Sequence, residues 1–494
     1  MSVICKDCGH RYWCHARFPA GTPSAQRAEL ADIQHQLRLL KTRERDLEAA
    51  LASVVYPVLT LPPEITSRIF LKCLPSHGRV QPSATKAPLV LAQVCRHWRD
   101  VALATARLWS SIDLKFEFGR RNIPDNGTIP LLRTWLSRAK RSPISLTLHR
   151  PISMEVLSVI PSYAGQLSRL ELAASDRDYD ALRTTSSDFP VLRDLAMTYH
   201  GSGPGPFSIF RNAPALREIR LPYTSFPNGV LFQSYASLHT LQLGEISVAT
   251  LVDMLTDNPQ LLHLDIGISG YTPFDYTGVV PVTANLESLV IQKREDAPAP
   301  DLPLLDYLTL PKLRRLELHH PPQLQALSSF RIRSAFILEH LALQVSTKEE
   351  VLKLMRILPD FSGIISLDLD TYVYLDYLAY ALKDPTLLPR LRSLRLNSWR
   401  DSIDYVSLVW CLRIRYREKR VLKSFTLSFD NPVCELGGLP TDDLILAELE
   451  SLVADGLKVQ ISSSEWWPSR PIELGKYSTA TIITMIATVP QKCN

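Results

Sequence analysis

The chain has 494 residues, of which 46% are hydrophobic and 21% charged. That is the balance of a soluble folded protein, long enough for two or three domains or for one solenoid with an appended module. The 55 basic and 50 acidic side chains leave a net charge of +5, which argues against nucleic-acid and membrane partners.

No apolar run reaches the ~18 residues of a membrane helix; Ala480 to Val489 comes nearest and is short and threonine-rich. Met1 to Trp13 carries Cys, Asp, His and Arg and has no apolar signal core. Five of the eight cysteines are widely scattered, as reduced thiols are, so the expected compartment is the cytoplasm, the nucleus or both.

Residues 1–23 read as a flexible tail. Cys5-x-x-Cys8, His10, Cys14 and His15 are ligand types that suit zinc. A second knuckle is missing, however, and Cys14 and His15 are adjacent, so the reading taken is no metal and no cofactor. Residues 24–56 read as an amphipathic helix. Leu30, Ile33, Leu37, Leu40, Glu44, Leu47, Leu51 and Val54 recur at spacings of three and four, an a/d seam with one charged interruption. Arg38, Lys41, Arg43, Arg45, Asp46 and Glu48 form its solvated flanks. Two readings stand open: self-association through residues 30–54 as a short coiled coil, or a single helix laid against the next module.

Residues 57–116 change character. Leu61-Pro62-Pro63-Glu64-Ile65 opens a helix, since proline in the first turn forfeits no hydrogen bond. Ile65, Ile69, Phe70 and Leu74 give an apolar stripe. After a polar loop, Pro75 to Lys86, a second helix is expected over Pro88–Val94, and a third carries Arg96, His97, Trp98, Val101 and Ala102. Leu108-Trp109 closes the segment. Three short helices lie near the lower size limit of a self-supporting core, and this segment has more large apolar groups than so small a bundle can cover. The surplus should be buried on a partner or on the first repeats of the adjoining C-terminal region.

The run Leu61-Pro62-Pro63-Glu64-Ile65, Ile69-Phe70, Val94-Cys95-Arg96-His97-Trp98-Arg99 and Leu108-Trp109 resembles the F-box family. The Pro75–Lys86 loop is longer than the family's shortest linkers. The resemblance implies a Skp-type adaptor of a cullin–RING (SCF) ubiquitin ligase as partner. Carried over by position, Leu61, Pro62, Ile65, Val94, Cys95 and Trp98 would face that adaptor, whereas Ile69 is read as internal core.

Residues 117–142 read as a linker, and residues 143–461 as repeats. The pattern Leu-x-x-Leu-x-Leu, with conservative replacements, starts at Leu167, Leu192, Leu216, Leu238, Leu261, Leu286, Leu313, Leu338, Ile364, Leu391 and Leu422. Weaker copies sit at Leu146-Leu148 and Leu457-Val459-Ile461. The start-to-start intervals run from 22 to 31 residues, close to the ~20–29 of leucine-rich repeats. One strand with its return segment cannot bury its leucines; stacked copies can. Prolines at 190, 214, 259, 311 and 389 stop the return segments two residues before the first leucine. Ser346-Thr347-Lys348-Glu349 reads as a capping box, and Thr441-Asp442-Asp443 caps a helix that ends near Gly456. The asparagine of the regular motif is replaced by Ser175, His200, Thr224, Ile246, Ser269 and Tyr372, so an irregular, ribonuclease-inhibitor-like arc is expected. Residues 462–494 are left as a cap or tail.

The expected fold class is therefore α/β: an N-terminal helix, a three-helix F-box module and a leucine-rich-repeat solenoid. Residues between the strand leucines should line the concave face. That gives Arg169, Glu171, Glu218, Arg220, His263, Asp265, Glu317, His340, Asp368 and Arg395 as a target-binding surface of mixed charge. His319-His320 read as ordinary surface histidines, and Arg413, Arg415, Arg417, Lys419, Arg420 and Lys423 as an exposed helix face. Gly201 to Pro206 is a proline-broken turn, and no nucleotide, zinc-protease or serine-hydrolase motif is present. The expected function is a non-catalytic substrate receptor of an SCF-type ligase, with a non-enzymatic scaffold as the alternative.

Overall fold

The computed structural model describes residues 23–53, 57–115, 127–149, 152, 154–173, 188–198, 209–210, 212–225, 235–268, 280–292, 303–319, 324–371, 375–398, 404–418, 421–429, 442–463 and 472–473. The cysteine-containing tail, the turn at 201–206, His320 and the stretch 480–489 lie outside the described residues, as do the positions Ser175, His200, Ser269 and Tyr372.

Helix α1 (Pro23–Ser53) is followed by α2 (Pro63–Lys72), α3 (Leu91–Val94) and α4 (Arg96–Ala104). From Ser111 onward the chain builds a fifteen-stranded sheet in which the strands follow sequence order. Fourteen of them run parallel, and only the last, Ile472–Glu473, is antiparallel to its neighbour Lys458–Ser463. Parallel neighbours cannot be joined by hairpins, and the described return segments include the helices Val248–Asp257, Leu324–Ser334, Lys348–Ile357 and Tyr405–Arg413.

The strand register explains the stability of this stack. Ile112, Leu146, Leu170, Leu195, Ile219, Leu241, Leu264 and Leu289 form one continuous row of paired positions. The row continues through Leu316, Leu341, Leu367, Leu394, Phe425 and Val459. Every member is buried. Buried side chains of the helices Val248–Asp257, Leu324–Ser334, Lys348–Ile357, Tyr405–Arg413 and Asp443–Ala454 join the same core. Burying one such leucine contributes about 1.5–3 kcal/mol, which a single isolated unit could not collect.

Polar ties between units stand in for the missing asparagines, and they sit before the strands rather than after them. Asn258 is buried and accepts from Tyr235 N at 3.2 Å, one unit back. Ser334 Oγ accepts from Leu310 N at 3.0 Å, and Arg333 donates to the carbonyls of Leu308 and Leu305. Arg415 donates to the carbonyls of Leu382, Asp384, Leu387 and Leu388. Each tie closes off carbonyl or amide groups that a helix end or turn would leave unpaired inside the core.

Four sequence readings need correction. Arg415 is 3% exposed, so it leaves the exposed basic face that Arg413, Arg417 and Lys423 keep; Arg417 bonds to Asp455 and Ser451, Arg413 faces Glu448, and Lys419 and Arg420 lie outside the described residues. The capping box is formed by Thr347 and Glu350, one position along, while Glu349 pairs with Lys353 at 2.8 Å. The second module helix is short, Leu91–Val94, because Ala84–Val90 forms turns. Finally, the described part of the stretch read as a linker is packed structure. The first strand, Ser111–Leu114, falls inside the segment 57–116, and residues 117–142 contain a packed helix, Thr128–Arg138, with Leu132, Trp135 and Leu136 buried. The cap at Asp442 holds as read: its side chain accepts from Leu444 N at 2.8 Å. Gly456 ends that helix with φ +108, a conformation that L side chains rarely adopt.

Candidate functional sites

The helical module offers one face outward. Pro63 occupies the first turn of α2, and the Pro62 carbonyl accepts from Ile65 N and Thr66 N. This start sets the phase of the helix: Thr66 and Phe70 turn inward and are buried, while Ile65 and Ile69 are 41% and 45% exposed. Ile69 is thus a surface residue, against the sequence reading. The stripe misled because α2 is apolar on two faces and the bundle can cover only one.

Leu61 is half-buried and Pro62 exposed, beside Ile65. Val94 is 58% exposed at the end of α3. Cys95 breaks the helix with extended backbone and caps α4, its Sγ accepting from Trp98 N at 3.4 Å. Trp98 is half-buried and meets Phe70 edge-on at 5.0 Å. Trp98 therefore spends its ring on joining α4 to α2, and only part of it remains for a partner. The six sequence-derived residues fall at the start of α2, Leu61–Pro62–Ile65, and at the α3–α4 junction, Val94–Cys95–Trp98. Among the described residues, Thr66 Oγ1, His97 Nε2 and Trp98 Nε1 are buried and meet no hydrogen-bond partner.

The loop after α2 belongs to the sheet as much as to the helices. Val80 is buried and its carbonyl accepts from Asp113 N at 2.8 Å; Ser111 Oγ donates to the Gly78 carbonyl at 2.6 Å. Arg79 pairs with Glu171 at 2.7 Å. Trp109 and Trp135 meet edge-on at 4.9 Å, with the Arg138 guanidinium 4.5 Å over the Trp109 ring.

A second surface lies on the sheet face between the leucines. Glu171, Arg220, Asp265, Glu317, Asp368 and Arg395 fall in one row of paired strand positions. Arg169, Glu218, His263 and His340 fall in the adjacent row. All ten are half-buried or exposed. The sequence therefore placed them on one face. Three act within the first units: Glu171 on Arg79, Arg169 on Asp194 at 3.3 Å and Glu218 on Arg220 at 3.3 Å.

The middle of this face holds a carboxylate–imidazole group. Glu317 accepts from His340 at 3.1 Å, lies 3.6 Å from His319 and pairs with Arg315. The His319 imidazole beside it, then the hydrogen bond from His340, holds the Glu317 carboxyl well below the usual carboxylate range. The nearby Glu317 carboxylate raises His319 above its ordinary value. Burial raises Asp265, against hydrogen bonds from Gln292 and Gln242 that lower it. Burial also raises Asp368, which Arg395 meets at 3.0 Å. Arg315 and His319 were not among the sequence-derived residues. Arg315 pairs in register with His340 and shares the row of Arg169, Glu218 and His263, so the same rule reaches it, whereas His319 follows the strand Arg315–Leu318. Among the described residues, no group of three or more His, Cys, Asp or Glu could hold a metal.

Residues 58–115 match the F-box-like family model. The helical module is thus an F-box-like domain, and in this chain it leads into a long, solenoid-like parallel sheet. No curated protein matches the chain.

Proposed function

We propose that the protein is the substrate-receptor subunit of an SCF-type ubiquitin ligase. The F-box-like domain holds a Skp-type adaptor, and the sheet is a leucine-rich-repeat solenoid whose open face binds a target protein. Ubiquitin transfer belongs to other subunits, in the cytoplasm or nucleus. The observation that carries this reading is the exposure of Ile65, Ile69 and Val94 on a domain that matches the F-box-like model. Large apolar side chains of this kind anchor interfaces when a partner desolvates them. The leucine rows and the 22–31-residue period support the repeat assignment. The mixed charge of the open face suits a polar protein surface better than a polyanion.

The test is co-purification of the intact chain from cells with cullin–RING subunits, followed by ubiquitin profiling of the captured proteins. A receptor loses a subset of captured proteins when Glu317→Ala, Asp368→Ala and Arg395→Ala are combined, and their ubiquitylation falls while adaptor recovery is unchanged. Adaptor recovery with no protein whose ubiquitylation depends on the open face would leave a scaffold instead.

A further inference from the structure

Helix α1 carries an apolar stripe that no described residue of its own chain covers. Every residue from Gln26 to Leu51 is exposed. Leu30, Ile33, Leu37, Leu40, Leu47 and Leu51 are 47–69% exposed and lie on one seam, with Glu44 filling the remaining place; Val54 lies outside the described residues. Leu39 alone of the large apolar groups falls off the seam. The side-chain hydrogen bonds of α1 are local, such as Gln36 to Asp32 at 3.0 Å and Thr42 to the Arg38 carbonyl at 3.0 Å. Among the described residues, none of the F-box-like domain covers this seam. A helix without tertiary packing is marginal in water, and a sustained apolar seam at spacings of three and four is matched by an identical seam.

We propose that α1 forms a parallel, in-register two-stranded coiled coil between two copies of this chain. Charge decides the partner and the direction. With Leu30, Leu37, Glu44 and Leu51 at a and Ile33, Leu40 and Leu47 at d, Arg43 falls at g and Glu48 at e. In the parallel arrangement Arg43 reaches Glu48 of the second copy, the g–e pairing that sets orientation. It also lies beside the second copy's Glu44, because an a side chain packs next to the preceding g residue opposite. Each Arg43 thus stands between two carboxylates and offsets the like-charge approach of the two Glu44 side chains, which share one a layer. A fully overlapped antiparallel pair would instead set Glu44 against Ile33, burying a carboxylate on an aliphatic side chain. Among the described residues of their own chain Arg43, Glu44 and Glu48 form no ion pair, so all three are free for this exchange. The inference is independent of the ligase reading, since α1 lies outside residues 58–115.

The test uses the full chain. Light scattering at tens of micromolar should give twice the 55.7 kDa chain mass. Leu37→Asp with Leu40→Asp should return the single-chain mass while the sheet melts unchanged, because neither side chain touches the folded body. Glu44→Leu should tighten dimerisation about tenfold or more. With Cys5, Cys8 and Cys14 replaced by Ser, Leu30→Cys should form an inter-chain disulfide between the two introduced thiols, identified by peptide mapping, which the parallel in-register alignment permits. A single-chain mass for wild type overturns the proposal, as does a dimer that survives the double aspartate variant. Cross-linking of Leu30→Cys only to an added Leu47→Cys chain overturns the parallel arrangement.

Discussion

Trp109 and Trp135 meet edge-on at 4.9 Å, and the first belongs to the F-box-like domain while the second lies on the helix that covers the first strands. Both rings are fully buried, and both indoles donate to backbone, Trp109 to Ala102 and Trp135 to Ser111. Domain and sheet therefore share one core.

This joint predicts that Trp135→Ala destabilises both parts together by about 3–5 kcal/mol. Urea unfolding followed by tryptophan fluorescence and by far-ultraviolet circular dichroism should show one transition, shifted equally by both probes. Two separated transitions, with only one moved, would show that the parts fold independently.

Arg415 predicts a contrast inside a single basic run. Its guanidinium satisfies four backbone carbonyls of the preceding unit, and Arg415→Leu leaves them buried and unpaired at about 1–3 kcal/mol for each group that water cannot reach. Arg413→Ala, which removes a 60%-exposed side chain 3.8 Å from Glu448, should change stability by less than about 1 kcal/mol. Equal effects in chemical denaturation would contradict the assignment.

The Glu317–His319 pair predicts a pH window. Glu317 is lowered by the His319 imidazole beside it, so its contribution is present above the ordinary carboxylate pKa and is lost as pH falls through the lowered folded value. His319 is raised, so its contribution is present below the ordinary imidazole pKa and is lost as pH rises through the raised folded value. The pair stabilises most between the two ordinary values, in mildly acidic solution. In a nuclear magnetic resonance titration the His319 midpoint should lie above the ordinary histidine value and fall in Glu317→Gln. An unmoved midpoint would show that His319 is governed by something else.

The strand core was readable because period two is a strict geometric rule: once Leu167, Leu170 and Leu172 are aligned with Leu192, Leu195 and Met197, the buried row is determined. The helix caps at Asp442 and Thr347 were nearly as legible, since capping depends on local chemistry. What failed were features that require knowing which way a side chain turns in three dimensions. Arg415 looks like its exposed neighbour Arg413, yet the Ile414–Glu418 turn, wound as a π-helix, rotates it inward. Ile69 and Phe70 are equally apolar, and only the packing of Trp98 on Phe70 decides which is core. The Pro75–Lys86 loop gave no apolar pattern beyond Val80, so its pairing with the first strand was invisible.

Titration calorimetry of the purified full chain with a purified Skp-type adaptor tests the central claim most directly. The account predicts a one-to-one complex with wild type. In Ile65→Asp with Val94→Asp it predicts a loss of about a hundredfold or more, since each anchor contributes about 1–3 kcal/mol, while thermal unfolding stays within a degree or two because both side chains start exposed. Absence of binding by wild type, or equal affinity in the double variant, would contradict it.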